Sequence, residues 1–449
     1  MIFAKTSLLK FMETKLSHKK IYFSCIISFF LLQSIDAQNL YFPPLVGNQW
    51  ETVSNESLGW CADSVQNVVD YVGANNSKAF IVLVNGKIAV EAYYGTFTQD
   101  SLWYWASAGK SLTSFMVGMA QQEGLLNIND VSSQYLGNGW TNCSSQEEQN
   151  IRILNQLTMT SGLDDGSGDA DCTIDTCLNY LADAGTRWAY HNAPYTLLDE
   201  VISNAAGVSM NSFLNTRIKS RTGMTGLYLP LGFNNVMFST ARSMARYGLL
   251  ISNKGVWNND SLMTDQQYFN NMVNTSQNLN KSYGYLWWLN GKESYMLPGL
   301  QIVFPGFLLP DAPADLFAGL GKNGQYVFVI PSLNMVVIRM GDLPNDGALV
   351  PTIFANEIWK RMANINCDVT SINDLNNKEL IVYPNPAKDF ITIKINSKDY
   401  NGKYELINLT GKIILKNINS NKIDLSDIPP GIYYLKTELG ARKVVINNE

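Results

Sequence analysis

Ala79-Phe-Ile-Val-Leu-Val84, Asn85-Gly86 and Lys87-Ile-Ala-Val-Glu-Ala-Tyr-Tyr94 read together as two β-strands joined by a tight turn. Asn-Gly is the dipeptide that best tolerates the two positive φ angles of a type I′ hairpin. Upstream, Ser64 to Val72 has helical spacing. Far downstream, Gln325-Tyr-Val-Phe-Val-Ile330, a turn at Pro331-Ser-Leu-Asn334 and Met335-Val-Val-Ile-Arg-Met340 form a second strand pair, and Pro351 to Met362 reads as a closing helix. Between the hairpins, from Ser107 to about Asp311, helical and loop segments dominate. Strands at both ends with helices between predict an α/β fold: one antiparallel sheet assembled from both ends of the segment, flanked by helices, with an inserted, mainly helical lobe.

The chain has 449 residues, long enough for two or three domains, and its 46% hydrophobic and 16% charged content excludes a wholly disordered or fibrous protein. A net charge of −5 provides no basic footprint for nucleic acid. The first 37 residues read as an export signal: Lys15, Lys19 and Lys20 precede an apolar run, Ile21 to Leu32, and small Ala37 stands at the cut. A retained anchor is the alternative, although the run is short for a bilayer. Residues 38–367 are expected to form the main domain. The stretch 368–378 is polar and poor in aromatics, as a linker would be. Residues 379–449 alternate in short runs such as Phe390-Ile-Thr-Ile-Lys-Ile395 and Gly431-Ile-Tyr-Tyr-Leu-Lys436, which predicts a separate small β-sandwich. Export would permit disulfides among Cys61, Cys143, Cys172, Cys177 and Cys367. Cys172 and Cys177 are close enough to bridge a loop, and the odd count leaves at least one thiol over.

Counting histidines closes most catalytic routes. There are two, His18 and His191, and His18 lies in the expected presequence. A zinc hydrolase needs two or three imidazoles, and HExxH is absent. G-x-S-x-G is absent too, because Trp105 stands two residues before Ser107. A covalent hydrolase without histidine needs another base, and lysine can serve once burial strips its ammonium of water. Ser107-Ala-Gly-Lys110 supplies such a pair at the start of a helix whose Leu112, Phe115, Met116 and Met119 predict one buried face. Taken alone, Ser-x-x-Lys is equally a helix cap followed by a surface lysine, and it recurs at Ser7 and Ser17. Downstream, Tyr190-His-Asn192 adds a phenol able to shuttle a proton and an amide able to hold a carbonyl. Gly321-Lys-Asn-Gly-Gln325 then opens a strand whose edge N–H could complete an oxyanion hole with that of Ser107. Asp164, Asp165, Asp169 and Asp171 lie in a Gly-rich loop without the glycine spacing of a calcium site. Trp103, Trp105, Trp287 and Trp288 could wall an apolar pocket or belong to the core.

These three motifs, in this order, resemble the penicillin-recognising serine hydrolases, and within them the class C β-lactamase-like branch with its esterases and nylon-oligomer hydrolases. Gly118-Met-Ala-Gln-Gln-Glu-Gly124, Leu126-Asn-Ile-Asn-Asp130, Gln156-Leu-Thr-Met-Thr-Ser-Gly162, Tyr195-Thr-Leu-Leu198, Ser239-Thr-Ala-Arg242 and Tyr283-Gly-Tyr-Leu-Trp-Trp288 extend the resemblance from about Ser64 to Met362. It implies an acyl-enzyme on Ser107, with Lys110 as its base and Tyr190 as proton shuttle. The backbone N–H groups of Ser107 and Gln325 would form the oxyanion hole. Asn192, His191, Lys322 and Gly324 would contact substrate. His191 replaces the usual serine, and Lys-Asn-Gly replaces Lys-Thr-Gly, which favours esters and amides over β-lactams. No metal or organic cofactor is implied, and the enzyme is expected to be a monomer. The tail, through Tyr383-Pro-Asn-Pro386, Asp389-Phe390, Leu409-Thr-Gly-Lys412, Ile423-Asp-Leu-Ser426 and Gly431-Ile-Tyr433, resembles the C-terminal sorting domain of the type IX secretion system. That implies contact with the secretion machinery and a secreted or cell-surface location; an adhesive or carbohydrate-binding sandwich is the alternative. Two rival functions remain for the main domain: an acylatable sensor without turnover, and a catalytically silent adhesin on a hydrolase scaffold.

Overall fold

The computed structural model describes residues 40–166, 168–345, 350–367, 380–395, 398–400, 402–417, 420–437 and 440–447. The expected export signal (1–37) and linker (368–378) lie outside the described residues. Ser77–Val84 (β1) and Lys87–Tyr93 (β2) form the expected hairpin, with φ of +51° at Asn85 and +80° at Gly86. The sheet continues through Trp288–Leu289 (β3), Phe317–Gly321 (β4), Gln325–Ile330 (β5) and Met335–Gly341 (β6). Its order is β2-β1-β6-β5-β4-β3, antiparallel throughout. First and last strands therefore meet at the centre, where β1 pairs with β6 from Ser77↔Gly341 to Val84↔Met335.

Both faces of this sheet are covered, which explains why its strands read as unbroken apolar runs rather than as alternating ones. Every residue of β5 and β6 is buried. The helices Ala62–Ala74 (α1) and Thr352–Met362 (α4) cover one face, where Phe328 meets Trp359 edge-on at 5.5 Å between ring centres. Helix α3, Ala241–Ser252, covers the other. It approaches so closely that a β-carbon on Gly248 would lie 2.4 Å from Val336 Cγ1. A disulfide between Cys61 and Cys367, with Cα atoms 4.7 Å apart, ties α1 to the segment beyond α4. A second joins Cys172 to Cys177, and Cys143 is free.

The inserted segment is helical and irregular, as expected. Its central helix, Lys110–Gln122 (α2), departs from expectation: instead of one buried face, every residue from Lys110 to Ala120 is buried. Elements that the sequence does not announce include the strands β3 and β4 at the sheet edge and a hairpin of Leu227–Leu231 with Asn234–Ser239, joined by Trp103–Tyr104. In the tail, Leu380–Tyr383, Phe390–Ile395, Lys398–Asp399 and Lys422–Asp424 form one sheet. Tyr404–Asn408, Ile413–Asn417, Gly431–Thr437 and Gly440–Ile446 form another. Ile391, Ile393, Leu406, Leu435 and Val444 share one core, the β-sandwich that the alternation predicts.

Alanine is the better helix former by about 1 kcal/mol, but overpacking a closed core costs about 1–3 kcal/mol. Gly248→Ala should therefore destabilise the protein, seen as a lower denaturation midpoint in urea.

Candidate active site

The site begins with strain. Ala106, immediately before Ser107, has φ of +46°, a left-handed conformation that L-residues adopt only when their surroundings enforce it. Three bonds do so: Trp105 N–H donates to Met237 C=O (2.8 Å), Trp105 Nε1 to Ser239 Oγ (2.7 Å) and Ala108 N–H to Trp105 C=O (3.0 Å). Ala106–Gly109 forms a 3₁₀ turn that runs directly into α2, so Ser107 and Lys110 lie one turn apart on the same face. Lys110 Nζ is 3.0 Å from Ser107 Oγ.

Lys110 is only 3% exposed, and among the described residues no carboxylate forms an ion pair with it. Its ammonium rests on aromatic faces, with Nζ 3.9 Å from the ring centre of Tyr195 and 5.3 Å from that of Tyr190. Tyr195 is held at this place by Thr113, which links it to Tyr228 (3.5 and 3.2 Å). Burial lowers the lysine to about 7, against a weaker opposing pull from Asp171 and Asp199. Burial likewise raises the carboxyl of Asp199 to about 7, and Asn235 Nδ2 donates to it at 2.8 Å. An amine titrating near neutrality beside a hydroxyl is a competent proton acceptor.

Tyr190 is half-buried, and the Ser107 and Trp288 side chains are the polar groups that act on its phenol. Its ring stacks on Trp288 (5.6 Å) and meets Tyr283 edge-on (6.2 Å). Burial holds its phenol well above the usual tyrosine range, so it keeps its proton at neutral pH. Ser107, Lys110 and Tyr190 are thus brought together. Trp288 is part of this wall, whereas Trp105 and Trp287 are fully buried core. Trp103 lies under the Lys78 ammonium, 5.3 Å from ring centre to Nζ.

Asn192 Nδ2 donates to Asp171 Oδ1 at 2.6 Å, while Asn192 Oδ1 is buried without a protein partner. Asp171 lies beside the Cys172–Cys177 loop, so this bond ties the loop to the site. Among the described residues no group of three metal-ligating side chains is close enough to hold a metal. His191 is buried, its Nδ1 has no protein partner, and burial holds its imidazole below the ordinary value against the pull of Asp165 and Asp164.

The strand beside the Ser107 turn is β4. Gly319 and Gly321 let it come close: β-carbons there would lie 3.0 Å from Ala108 C=O and 2.6 Å from Trp105 C=O. Two expectations are corrected by the sheet register. Gln325 pairs with Gly321 inside the sheet and is fully buried, and its side chain bonds the Gly341 backbone in both directions (2.6 and 3.0 Å). Asn290 N–H donates to Leu316 C=O. Antiparallel alternation then directs the amides of Ala318 and Leu320 to the outer edge and turns those of Gly321 and Gln325 toward one another. The edge beyond β3 thus offers Leu320 N–H, not Gln325 N–H, and sequence could not show this because β4 itself was not read. Gly324 is likewise turned inward, its C=O accepting from Arg339 Nη1 at 3.1 Å. Lys322 is exposed in the turn that follows Gly321.

Fold and site together define a serine-hydrolase architecture with lysine as the candidate base. Residues 65–348 match the beta-lactamase family, and the chain belongs to it. Residues 381–447 match the secretion system C-terminal sorting domain. An uncharacterised protein of Alkalihalophilus pseudofirmus is 22% identical over 313 residues, covering 62% of this chain and 86% of its own. Similar solved structures include a putative 6-aminohexanoate-dimer hydrolase from Bacillus anthracis (TM-score 0.54, 16% identity, 72% of this chain and 89% of that one). A putative beta-lactamase from Bacteroides dorei gives TM-score 0.54 and 16% identity, over 68% and 99% of the chains. A penicillin-binding protein homologue from Caulobacter crescentus gives 0.53 and 14%, over 68% and 98%. At these identities the structures establish the fold.

With Lys110 as base, only its neutral form accepts a proton, and that form is lost as pH falls through about 7. Labelling of Ser107 by a fluorophosphonate, followed by intact mass, should slow about tenfold per pH unit below that value and level off above it.

Proposed function

We propose that this protein is an exported serine hydrolase that cleaves a carboxylic ester or amide through an acyl-enzyme on Ser107. The observation that carries this reading is the 3.0 Å contact between Ser107 Oγ and a buried Lys110 amine shifted to about 7. Neutral Lys110 takes the Ser107 proton as Oγ bonds to the substrate carbonyl carbon. The oxyanion receives the amides of Ser107 and Leu320, donors fixed by the strained turn and the edge of β4. Tyr190, protonated and in contact with Ser107, gives its proton to the departing oxygen or nitrogen and recovers one from Lys110. Water then attacks the acyl-enzyme by the reverse route, with Lys110 again as base. Asn192 Oδ1, buried without a protein partner, is available to accept a hydrogen bond from substrate, and the exposed Lys322 is available to contact it. The resemblance of the tail supports delivery by the type IX machinery, with residues 1–37 as export signal and a secreted or cell-surface destination.

Purified protein should hydrolyse p-nitrophenyl acetate, and Ser107→Ala should lower kcat/KM by at least about 10³-fold, as loss of a nucleophile does. Nitrocefin should be cleaved far more slowly than the ester. Covalent labelling without turnover of any ester would instead mark a sensor, and neither labelling nor turnover would mark an adhesin.

A further inference from the structure

Two segments grip the chain on either side of Tyr190, and each carries exposed aliphatic side chains. The first is a finger whose base is the strand pair Ser294–Tyr295 and Phe304–Pro305, stiffened by stacking of Tyr295 on Phe304 at 5.4 Å. From its tip, Gln301 Nε2 donates to Trp188 C=O at 3.0 Å. Gln301 is itself exposed, though its amide reaches Trp188, and its neighbours Leu300, Ile302 and Val303 are 41%, 54% and 56% exposed. From Tyr295 to Pro310 the sequence contains no charged residue. The second segment is the Cys172–Cys177 loop. Asn192 Nδ2 donates to Asp171 beside it, and Ala193 N–H donates to Ala170 C=O at 3.1 Å. This loop carries Ile174, 52% exposed.

Isolated exposed aliphatics are ordinary surface. Here they sit on two lips, each fastened within three residues of the same tyrosine: Trp188 on one side, Asn192 and Ala193 on the other. At the stretch to which both are fastened, the rings of Trp188, Tyr190 and Trp288 pack on one another, with centres 5.6–6.4 Å apart. A short polar substrate gains nothing from such lips, whereas an aliphatic chain leaving the reacting carbonyl would cover them and lose its own contact with water.

Resting on the hydrolase reading above, we propose that the finger and the disulfide loop form an apolar mouth that selects substrates bearing an aliphatic chain, so that the preferred ester or amide has a fatty component. The chain can belong to the acyl group or to the alcohol. Binding of this kind is uniform between ground and transition states and appears mainly in KM.

The test uses the full-length protein with p-nitrophenyl acetate, butyrate, hexanoate and octanoate, and with ethyl, butyl and hexyl acetates in a pH-stat. In at least one series kcat/KM should rise about two- to fourfold per added methylene, mostly through KM. The double variant Ile302→Ser, Val303→Ser alters exposed positions outside the catalytic group. It should leave kinetics on p-nitrophenyl acetate unchanged and reduce the long-to-short preference about tenfold; Ile174→Ser should reduce it further. Flat profiles in both series, with Ser107-dependent turnover of the acetate intact, would overturn the mouth and leave the hydrolase standing. An unchanged preference in the double variant would also overturn it, including the case in which that variant loses association with phosphatidylcholine vesicles and the finger proves to be a membrane foot. Failure on every ester, acetate included, would bring down the hydrolase reading and the mouth with it.

Discussion

An amine buried beside a hydroxyl, with aromatic rings in place of water and no ion-paired carboxylate, governs the rest of this molecule. Moving an ammonium out of water is costly unless it finds a full counter-charge or loses its proton. Among the described residues, Lys110 has ring faces and the more distant Asp171 and Asp199. Its neutral form is therefore favoured, and under the proposed function this amine, 3.0 Å from Ser107 Oγ, takes the part that histidine takes elsewhere. On that proposal a chain with only His18 and His191 activates its serine without imidazole.

Maintaining that burial requires the whole main domain. α2 cannot be buried on all sides unless a lobe surrounds it, and the lobe cannot close unless the two ends of the segment meet, as β1 and β6 do in the middle of the sheet. The strained Ala106 is held from the hairpin by Met237 and Ser239. Two glycines of β4 admit the turn from the opposite side. Elements distant in sequence thereby converge on four residues, Ala106–Gly109. The tail sandwich has its own core.

The fold was legible where local chemistry determines it. Asn85-Gly86 marks its hairpin, the apolar runs at 325–330 and 335–340 mark central strands, and the alternation within 379–449 marks the sandwich. Ser107, Lys110 and Tyr190 were legible because each has a chemically distinctive side chain at a fixed spacing. What escaped depends on tertiary context. Phe317-Ala-Gly-Leu-Gly321 has too much glycine to read as a strand, yet those glycines admit the Ser107 turn, and without β4 the candidate oxyanion donor falls one strand too far along, at Gln325. The positive φ of Ala106 has no local signature, since alanine is imposed on it rather than suited to it. Asp199 carries no signal in the sequence; its burial comes from the fold, where Asn235 of the hairpin bonds to it. Helical spacing suggested one buried face for α2, because periodicity reports the helix's own amphipathicity and not what surrounds it.

The state of the Lys110 amine can be measured directly. Lysine labelled with ¹³C at Cε, with the Lys110 resonance assigned by its loss in Lys110→Arg, can be titrated by NMR in the folded protein. A midpoint near 7, against the ordinary 10.5, is expected. A midpoint at or above 10.5 would mean that the amine stays charged at neutral pH, and the serine would have no base.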